Sequence, residues 1–259
     1  MLVDSHCHLD RVALDHYGSD FGQFVAATMD AGISHMLCVS IDLESWPSMV
    51  SLVESYPQIA VSVGVHPNDR ERHDPTPSEL AELAEHPKVV AIGETGLDYF
   101  HGKGDLDWQR NRFQQHIEAA KQTALPLIIH TREARADTIR IMQSQDADQA
   151  GGVMHCFTED WSMAEQAMEM GFYISFSGII TFKNAADLRD VVKKVPIERM
   201  LIETDSPYLA PVPYRGKPNQ PIYVQQVAEC VAEIKQLSPA EVAAQTTDNY
   251  YRCFPKANR

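Results

Sequence analysis

The sequence predicts a closed (β/α)8 barrel of the α/β class, with one extra helix near its C-terminal end. Eight short apolar runs alternate with helix-like segments along the 259 residues. That length suits one domain spanning residues 1–259, because alternating strand and helix domains commonly reach this size. Several runs also stop at a side chain of the metal-binding type, the pattern expected when buried parallel strands open onto loops that carry chemistry.

In chain order, Met1 to Asp4 reads as a strand, Phe21 to Ala31 as a helix stopped by Gly32, and Ile33 to Val39 as the second strand. Leu43 to Tyr56 is helical, and Ile59 to Val65 is a strand ending in His66-Pro67. The helix Thr76 to Glu85, with Pro77 in its first turn, precedes the strand Val89 to Ile92. A long helical stretch from Asp105 to Thr123 leads to the strand Leu127 to Ile129, then a helix over Ala134 to Ser144 and the strand Val153 to Met154. The helix Met163 to Met170, stopped by Gly171, precedes the strand Phe172 to Ser175. The helix Ala185 to Val192 then leads to the last strand, Met200 to Ile202. Pro221 to Gln236 supplies the eighth barrel helix. Ser238 to Tyr251 opens on Ser-Pro-Ala-Glu, a helix start, and is expected to pack outside the barrel. The loop Pro207 to Gln220, dense in proline, glycine and charge, lies on the ligand end and is placed to shape entry.

The first residues carry no basic region or cleavage signal, and no apolar run reaches membrane-spanning length, so a cytoplasmic protein without a membrane partner is expected. Five cysteines without a CxxC pair give neither a zinc ribbon nor a disulfide framework, and Cys7 and Cys156 read as packing residues. A net charge of −14 argues against a broadly basic duplex-binding surface. Local phosphate recognition stays open, with Arg132, Arg135, Lys183, Arg215 and Lys217 in segments able to ring a site mouth.

His6 and His8 are two apart, so in a strand both imidazoles point one way, with Asp4 in phase. His130 and His155 end later strands, and a barrel gathers those ends. Glu94 is the natural bridge, since its two oxygens can serve cations on opposite sides and Gly93 and Gly96 leave room. Asp205 adds a hard oxygen donor, with Glu203 either a ligand or a support for one. His66 reads as a substrate contact. His16, His35, His73, His86, His101 and His116 read as surface or packing residues. Two divalent cations about 3.5–4 Å apart would activate water for attack at phosphorus, so hydrolysis is the expected chemistry. The donor set admits Zn, Mn, Mg or Fe without choosing among them.

With those residues in place, nearly the whole chain resembles the TatD family of metal-dependent hydrolases, described as deoxyribonucleases within the amidohydrolase-like superfamily of TIM barrels. The likeness rests on Val3-Asp4-Ser5-His6-Cys7-His8-Leu9-Asp10, Gly64-Val65-His66-Pro67, Gly93-Glu94-Thr95-Gly96-Leu97-Asp98-Tyr99 and His130-Thr131-Arg132. It continues through His155-Cys156-Phe157, Ser175-Phe176-Ser177-Gly178 and Glu203-Thr204-Asp205-Ser206-Pro207-Tyr208-Leu209. The resemblance implies two divalent cations, one held by His6, His8, Glu94 and Asp205, the other by Glu94, His130 and His155. It further implies Asp205 as a candidate proton acceptor, Arg132 or the Arg215-Gly216-Lys217 loop as phosphate contacts, and hydrolysis of DNA from the 3′ end of single strands. Many related binuclear sites use a modified lysine at the fourth strand. Here the lysine of that region is Lys88, at the strand's start, and a carboxylate stands in the bridging position.

A second reading keeps the metal centre but directs attack to a carboxyl ester or amide, such as an aminoacyl ester on RNA. A third, a metal-bearing barrel that only binds a partner protein, finds no support in the sequence, and no obligate protein partner is expected.

Overall fold

The structure, a computed structural model, describes residues 1–68 and 70–257. Its strands are β1 (Leu2–Cys7), β2 (Ile33–Cys38), β3 (Ile59–Val63), β4 (Val89–Asp98), β5 (Leu127–Arg132), β6 (Gly152–Met154), β7 (Tyr173–Phe176) and β8 (Met200–Ile202). They pair in parallel in sequence order, β1 through β8. Closure comes from the ends of the first and last strands. The Asp205 amide donates to the His6 carbonyl at 2.9 Å and the His8 amide to the Ser206 carbonyl at 2.8 Å. The seam of this (β/α)8 barrel therefore runs through candidate ligand positions.

The helices between strands are α1 (Phe21–Asp30), α2 (Trp46–Val53), α3 (Pro77–Leu83), α4 (Asp107–Thr123), α5 (Arg135–Ser144), α6 (Trp161–Glu169) and α7 (Ala186–Lys194). They are followed by α8 (Val224–Lys235) and α9 (Pro239–Cys253). Local chemistry sets several starts. Thr76 with Glu79 and Ser238 with Glu241 form capping boxes, each satisfying amides at both ends of the first turn. No helix among the described residues is long and apolar enough to cross a membrane.

Alternation along the strands separates two apolar clusters. Met36, Cys38, Val61, Leu127, Ile129, Met154 and Ile202 pack with helix residues such as Phe24, Ile117 and Val227. Their neighbours Leu37, Val39, Ala60, Ile128, Val153 and Leu201 form a second cluster with Tyr250, Cys253 and Phe254. The C-terminal half of α9 therefore closes the interior stack of the barrel, contrary to the expectation that this helix packs outside. An amphipathic helix offers no sequence mark of which apolar surface it covers, and the lower strand layer is the surface that needed a cover.

Strand β4 runs six residues beyond the end expected at Ile92, and pairs Thr95, Gly96, Leu97 and Asp98 with Ile129, His130, Thr131 and Arg132. Gly-Glu-Thr-Gly reads as a loop, but glycine serves a close approach here. A Cβ on Gly96, whose φ is +130°, would overlap the His130 carbonyl oxygen. Glu94 thus stands within a strand and faces the neighbouring strand's histidine.

Candidate metal centre

A cavity of about 680 Å³ opens at the carboxyl ends of the strands, lined by His8, His66, Glu94, His130, His155 and Asp205 among others. His6 is fully buried against it. Glu94 is central. Its Oε1 lies 2.8 Å from His155 Nε2, 3.3 Å from His130 Nδ1 and 3.2 Å from His66 Nε2. Its Oε2 lies 3.4 Å from His6 Nε2 and 4.0 Å from His8 Nε2. Asp205 Oδ1 faces the same pair, 3.7 Å from His6 and 3.4 Å from His8. The two Glu94 oxygens therefore address two separate groups of imidazoles.

By distance alone, donor atoms within 4.8 Å of one another form three sets among the described residues: His6, His8 and Asp205; His6, His155 and Glu203; and His66, Glu94 and His130. Hydrogen bonds discriminate among them. His8 Nδ1 faces the Val39 carbonyl at 3.0 Å, His130 Nε2 faces Asp98 Oδ2 at 3.3 Å, and His155 Nδ1 faces Glu203 Oε1 at 3.2 Å. Carbonyls and carboxylates only accept, so each of these nitrogens carries a proton, and the opposite nitrogen turns inward toward Glu94 or Asp205, offering a lone pair when the ring is neutral. His66 is wired the other way. The Asn68 amide donates to its Nδ1 at 3.1 Å, which leaves Nε2 as an N–H donor in the neutral ring. His66 thus presents an N–H donor on the cavity wall, directed at Glu94 Oε1 3.2 Å away. Glu203 is occupied at both oxygens by the Cys156 amide, His155 and the Ser175 hydroxyl, so it orients His155.

A proton or a cation has to stand between His155 Nε2 and the Glu94 oxygen 2.8 Å away. The same holds for His8 against Asp205 and His130 against Glu94, and His6 Nδ1 and Nε2 are buried without a hydrogen bond. Protonation reports this demand. Burial disfavours charge on His155, yet Glu94 and Glu203 lift its pKa well above the ordinary value, and His8 and His130 shift the same way against burial, beside Asp205 and Asp98. Burial also opposes ionisation of Glu94, but the surrounding imidazoles, His155 and His66 foremost, hold its carboxyl well below the usual range. His6 is pushed down by burial and by its neighbour His155. The donor set of converging imidazole nitrogens and carboxylate oxygens fits divalent cations.

Two placements depart from what strand parity suggests. Asp4 turns away from the cluster, and its carboxylate accepts from the Thr204 amide at 2.8 Å and the Thr204 hydroxyl. The β1–β2 register slips between Asp4 and Cys7, which breaks the phase with His6. Cys156, with φ of +42°, lines the cavity instead of pointing away from it, while Cys7 is buried and donates to the Leu37 carbonyl. Arg132 lines the cavity, whereas Arg215 stacks over Phe182 at 3.9 Å and is not among the lining residues.

Other residues of the site carried no signal in the apolar-run pattern. Arg11 and Arg72 line the mouth, their Nη2 atoms 3.8 and 3.6 Å from Asp42 Oδ2. Arg112 and His116 of α4 brace the chain below His66. Arg112 donates to the His66 carbonyl at 2.9 Å and His116 Nε2 accepts the Val65 amide at 2.9 Å. Burial pushes the His116 pKa down to about 4, which keeps that nitrogen available. Asp98 is fully buried and takes His130 Nε2 on one side and His101 Nδ1, at 2.8 Å, on the other. Burial opposes its ionisation, but those two imidazoles hold its carboxyl well below the usual range. Asp98→Ala is expected to lower the affinity for divalent metal about 10- to 100-fold by releasing His130, read by calorimetric titration of metal-free protein. Unchanged affinity would remove Asp98 from the account.

Residues 3–255 match the model of the family described as TatD related DNase. The chain is similar to the uncharacterized metal-dependent hydrolase YcfH of Escherichia coli K12, 44% identical over 98% of this chain and 95% of that one. It is also similar to the uncharacterized metal-dependent hydrolase YabD of Bacillus subtilis, 41% identical over 98% of this chain and 99% of that one. Among solved structures, YjjV, a TatD homolog from E. coli K12, superposes with a TM-score of 0.88 at 28% identity, covering 98% of each chain. Family match, fold and the lone-pair geometry of the cluster agree: the chain belongs to the TatD family of metal-dependent hydrolases.

Proposed function

We propose that this protein is a divalent-metal-dependent deoxyribonuclease that hydrolyses phosphodiester bonds from the 3′ end of single-stranded DNA. The observation that carries the reading is the split of Glu94, whose Oε1 faces His130 and His155 while Oε2 faces His6 and His8. In this reading His6, His8, Glu94 and Asp205 hold one cation, and Glu94, His130 and His155 the other. When bound, the pair supplies an activated water and neutralises charge gathering on the phosphoryl oxygens.

The chain's own residues then have distinct tasks. Asp205, kept ionised against burial by His8 and its other imidazole neighbours, accepts the proton of the attacking water. His66 donates through Nε2 to a phosphoryl oxygen, held in that tautomer by the Asn68 amide. Arg132, stacked over Phe100 at 3.9 Å, contacts a phosphate at the mouth, and Arg11 and Arg72, ion-paired with Asp42, offer guanidinium N–H donors beside it. Arg215 serves a phosphate further along the strand.

The family description and the arginine-bordered mouth favour phosphorus over a carboxyl centre. The metal-loaded protein is expected to turn over bis(4-nitrophenyl) phosphate at least tenfold faster than 4-nitrophenyl acetate or aminoacyl esters. Faster turnover of the carboxyl esters would transfer the site to that chemistry.

A further inference from the structure

We propose that Phe100 and Tyr208 are two base-stacking platforms on opposite sides of the cavity mouth, holding the nucleobases that flank the scissile phosphate. The proposal rests on the phosphodiesterase reading above and assigns the residues that make a nucleic acid strand a better ligand than a small phosphodiester.

Among the described residues, the bulky apolar side chains left largely exposed include Phe100 at 51% and Tyr208 at 50%. Exposure of single apolar residues is ordinary, but the placement of these two is not. Phe100 follows β4 and Tyr208 follows β8, and in a closed ring of eight strands β4 and β8 stand across the barrel from each other. Both loops lie at the carboxyl ends of the strands, the end that carries the cavity. Tyr208 lines the cavity, and Phe100 lies just outside the lining, against Arg132 and His101 of it, so the two rings stand on opposite sides of the mouth.

Each ring is held in place. The Arg132 guanidinium lies 3.9 Å from the Phe100 ring centroid, and the His101 ring meets Phe100 edge-on at 4.8 Å. His101 is itself tied to Asp98 through Nδ1 and through its backbone amide, at 2.8 and 2.9 Å. On the opposite side, the Tyr208 ring stands 5.9 Å from that of His8. The Tyr208 amide donates to the Asp205 carbonyl at 2.9 Å, and the buried Asn219 side chain donates to the carbonyls of Tyr208 and Thr204. Flat faces fixed in this way lose little freedom when a ligand stacks on them.

The chemistry of the occupant follows from what accompanies the rings. A cavity of about 680 Å³ holds one small organic group, so any longer ligand has to cross the rim. Arg132 stands at that rim over Phe100, with Arg11 and Arg72 beside it in ion pairs with Asp42. Planar apolar faces interleaved with arginines suit an anionic chain with exposed planar groups, which is an unpaired nucleic acid strand. A duplex keeps those base faces inside its stack and offers the rings nothing. Two platforms with the carboxylate and imidazole cluster between them give one base on each side of the bond to be cut.

The test is equilibrium binding of a phosphorothioate-linked single-stranded hexanucleotide to metal-loaded wild type, Phe100→Ala and Tyr208→Ala. Two further oligonucleotides lack the base on one or the other side of the last linkage. Each alanine substitution and each missing base is expected to weaken binding about tenfold. Phe100→Ala should become indifferent to one missing base and Tyr208→Ala to the other, while Phe100→Trp retains affinity and Phe100→Leu loses it. The proposal is overturned if wild type binds the base-deficient oligonucleotides as tightly as the intact one. It is equally overturned if the alanine variants lose affinity for both kinds alike, or if no oligonucleotide binds. Wild-type turnover of bis(4-nitrophenyl) phosphate, measured in parallel, reports separately on the phosphodiesterase reading.

Discussion

Glu94→Ala is expected to lower metal-dependent phosphodiester hydrolysis by at least a factor of about 10³, roughly 4 kcal/mol of transition-state stabilisation. The size of the effect follows from the position of this carboxylate. Its two oxygens face five imidazoles from β1 and the residue after it, the loop after β3, β5 and the turn after β6, at 2.8 to 4.0 Å. Without it, the lone pairs of His130 and His155 lose the anion that fixes a cation opposite them, and His6 and His8 retain only Asp205. Metal content after dialysis should fall along with kcat. A Glu94→Ala protein that keeps wild-type metal content and turnover would remove the bridge from the account.

Asp205→Asn should act differently, lowering kcat by about 10²- to 10⁴-fold with a much smaller change in KM. Asp205 has φ of +56°, a left-handed conformation that asparagine tolerates as well as aspartate, so the side chain keeps its direction. The amide oxygen can still face His8, but the negative charge and the capacity to take a proton are gone. Loss in KM with kcat preserved would make Asp205 a binding residue and would place the proton acceptor elsewhere. Paired steady-state measurements on one small phosphodiester separate the two outcomes.

The barrel was legible because its signal is redundant. Eight apolar runs, each bounded by glycine, proline or a polar cluster, had to be misread several times over to suggest another fold. Ends of strands were harder. Gly93-Glu94-Thr95-Gly96 looks like a loop by composition, and only the partner strand β5 shows why small and polar residues continue a ladder there. This error hid Asp98, which ends no apolar run and becomes relevant only once pairing sets it beside His130. The role of His66 depended on the amide of Asn68, a backbone group that no residue pattern encodes. Arg11 and Arg72 reach the mouth from irregular segments, where periodicity carries no information. Asp4 failed for a related reason, since a register slip within β1 ended the two-residue phase on which its placement rested. The closing of the barrel interior by α9 was equally invisible, because amphipathicity marks a helix face as buried without naming what buries it.

The most direct test follows an end-labelled single-stranded DNA oligonucleotide incubated with purified protein and manganese or magnesium, beside a chelated control and Glu94→Ala. The account predicts a ladder that shortens from the 3′ end only when both metal and Glu94 are present. An oligonucleotide that stays intact with every divalent metal, or one cut equally well by Glu94→Ala, would contradict it.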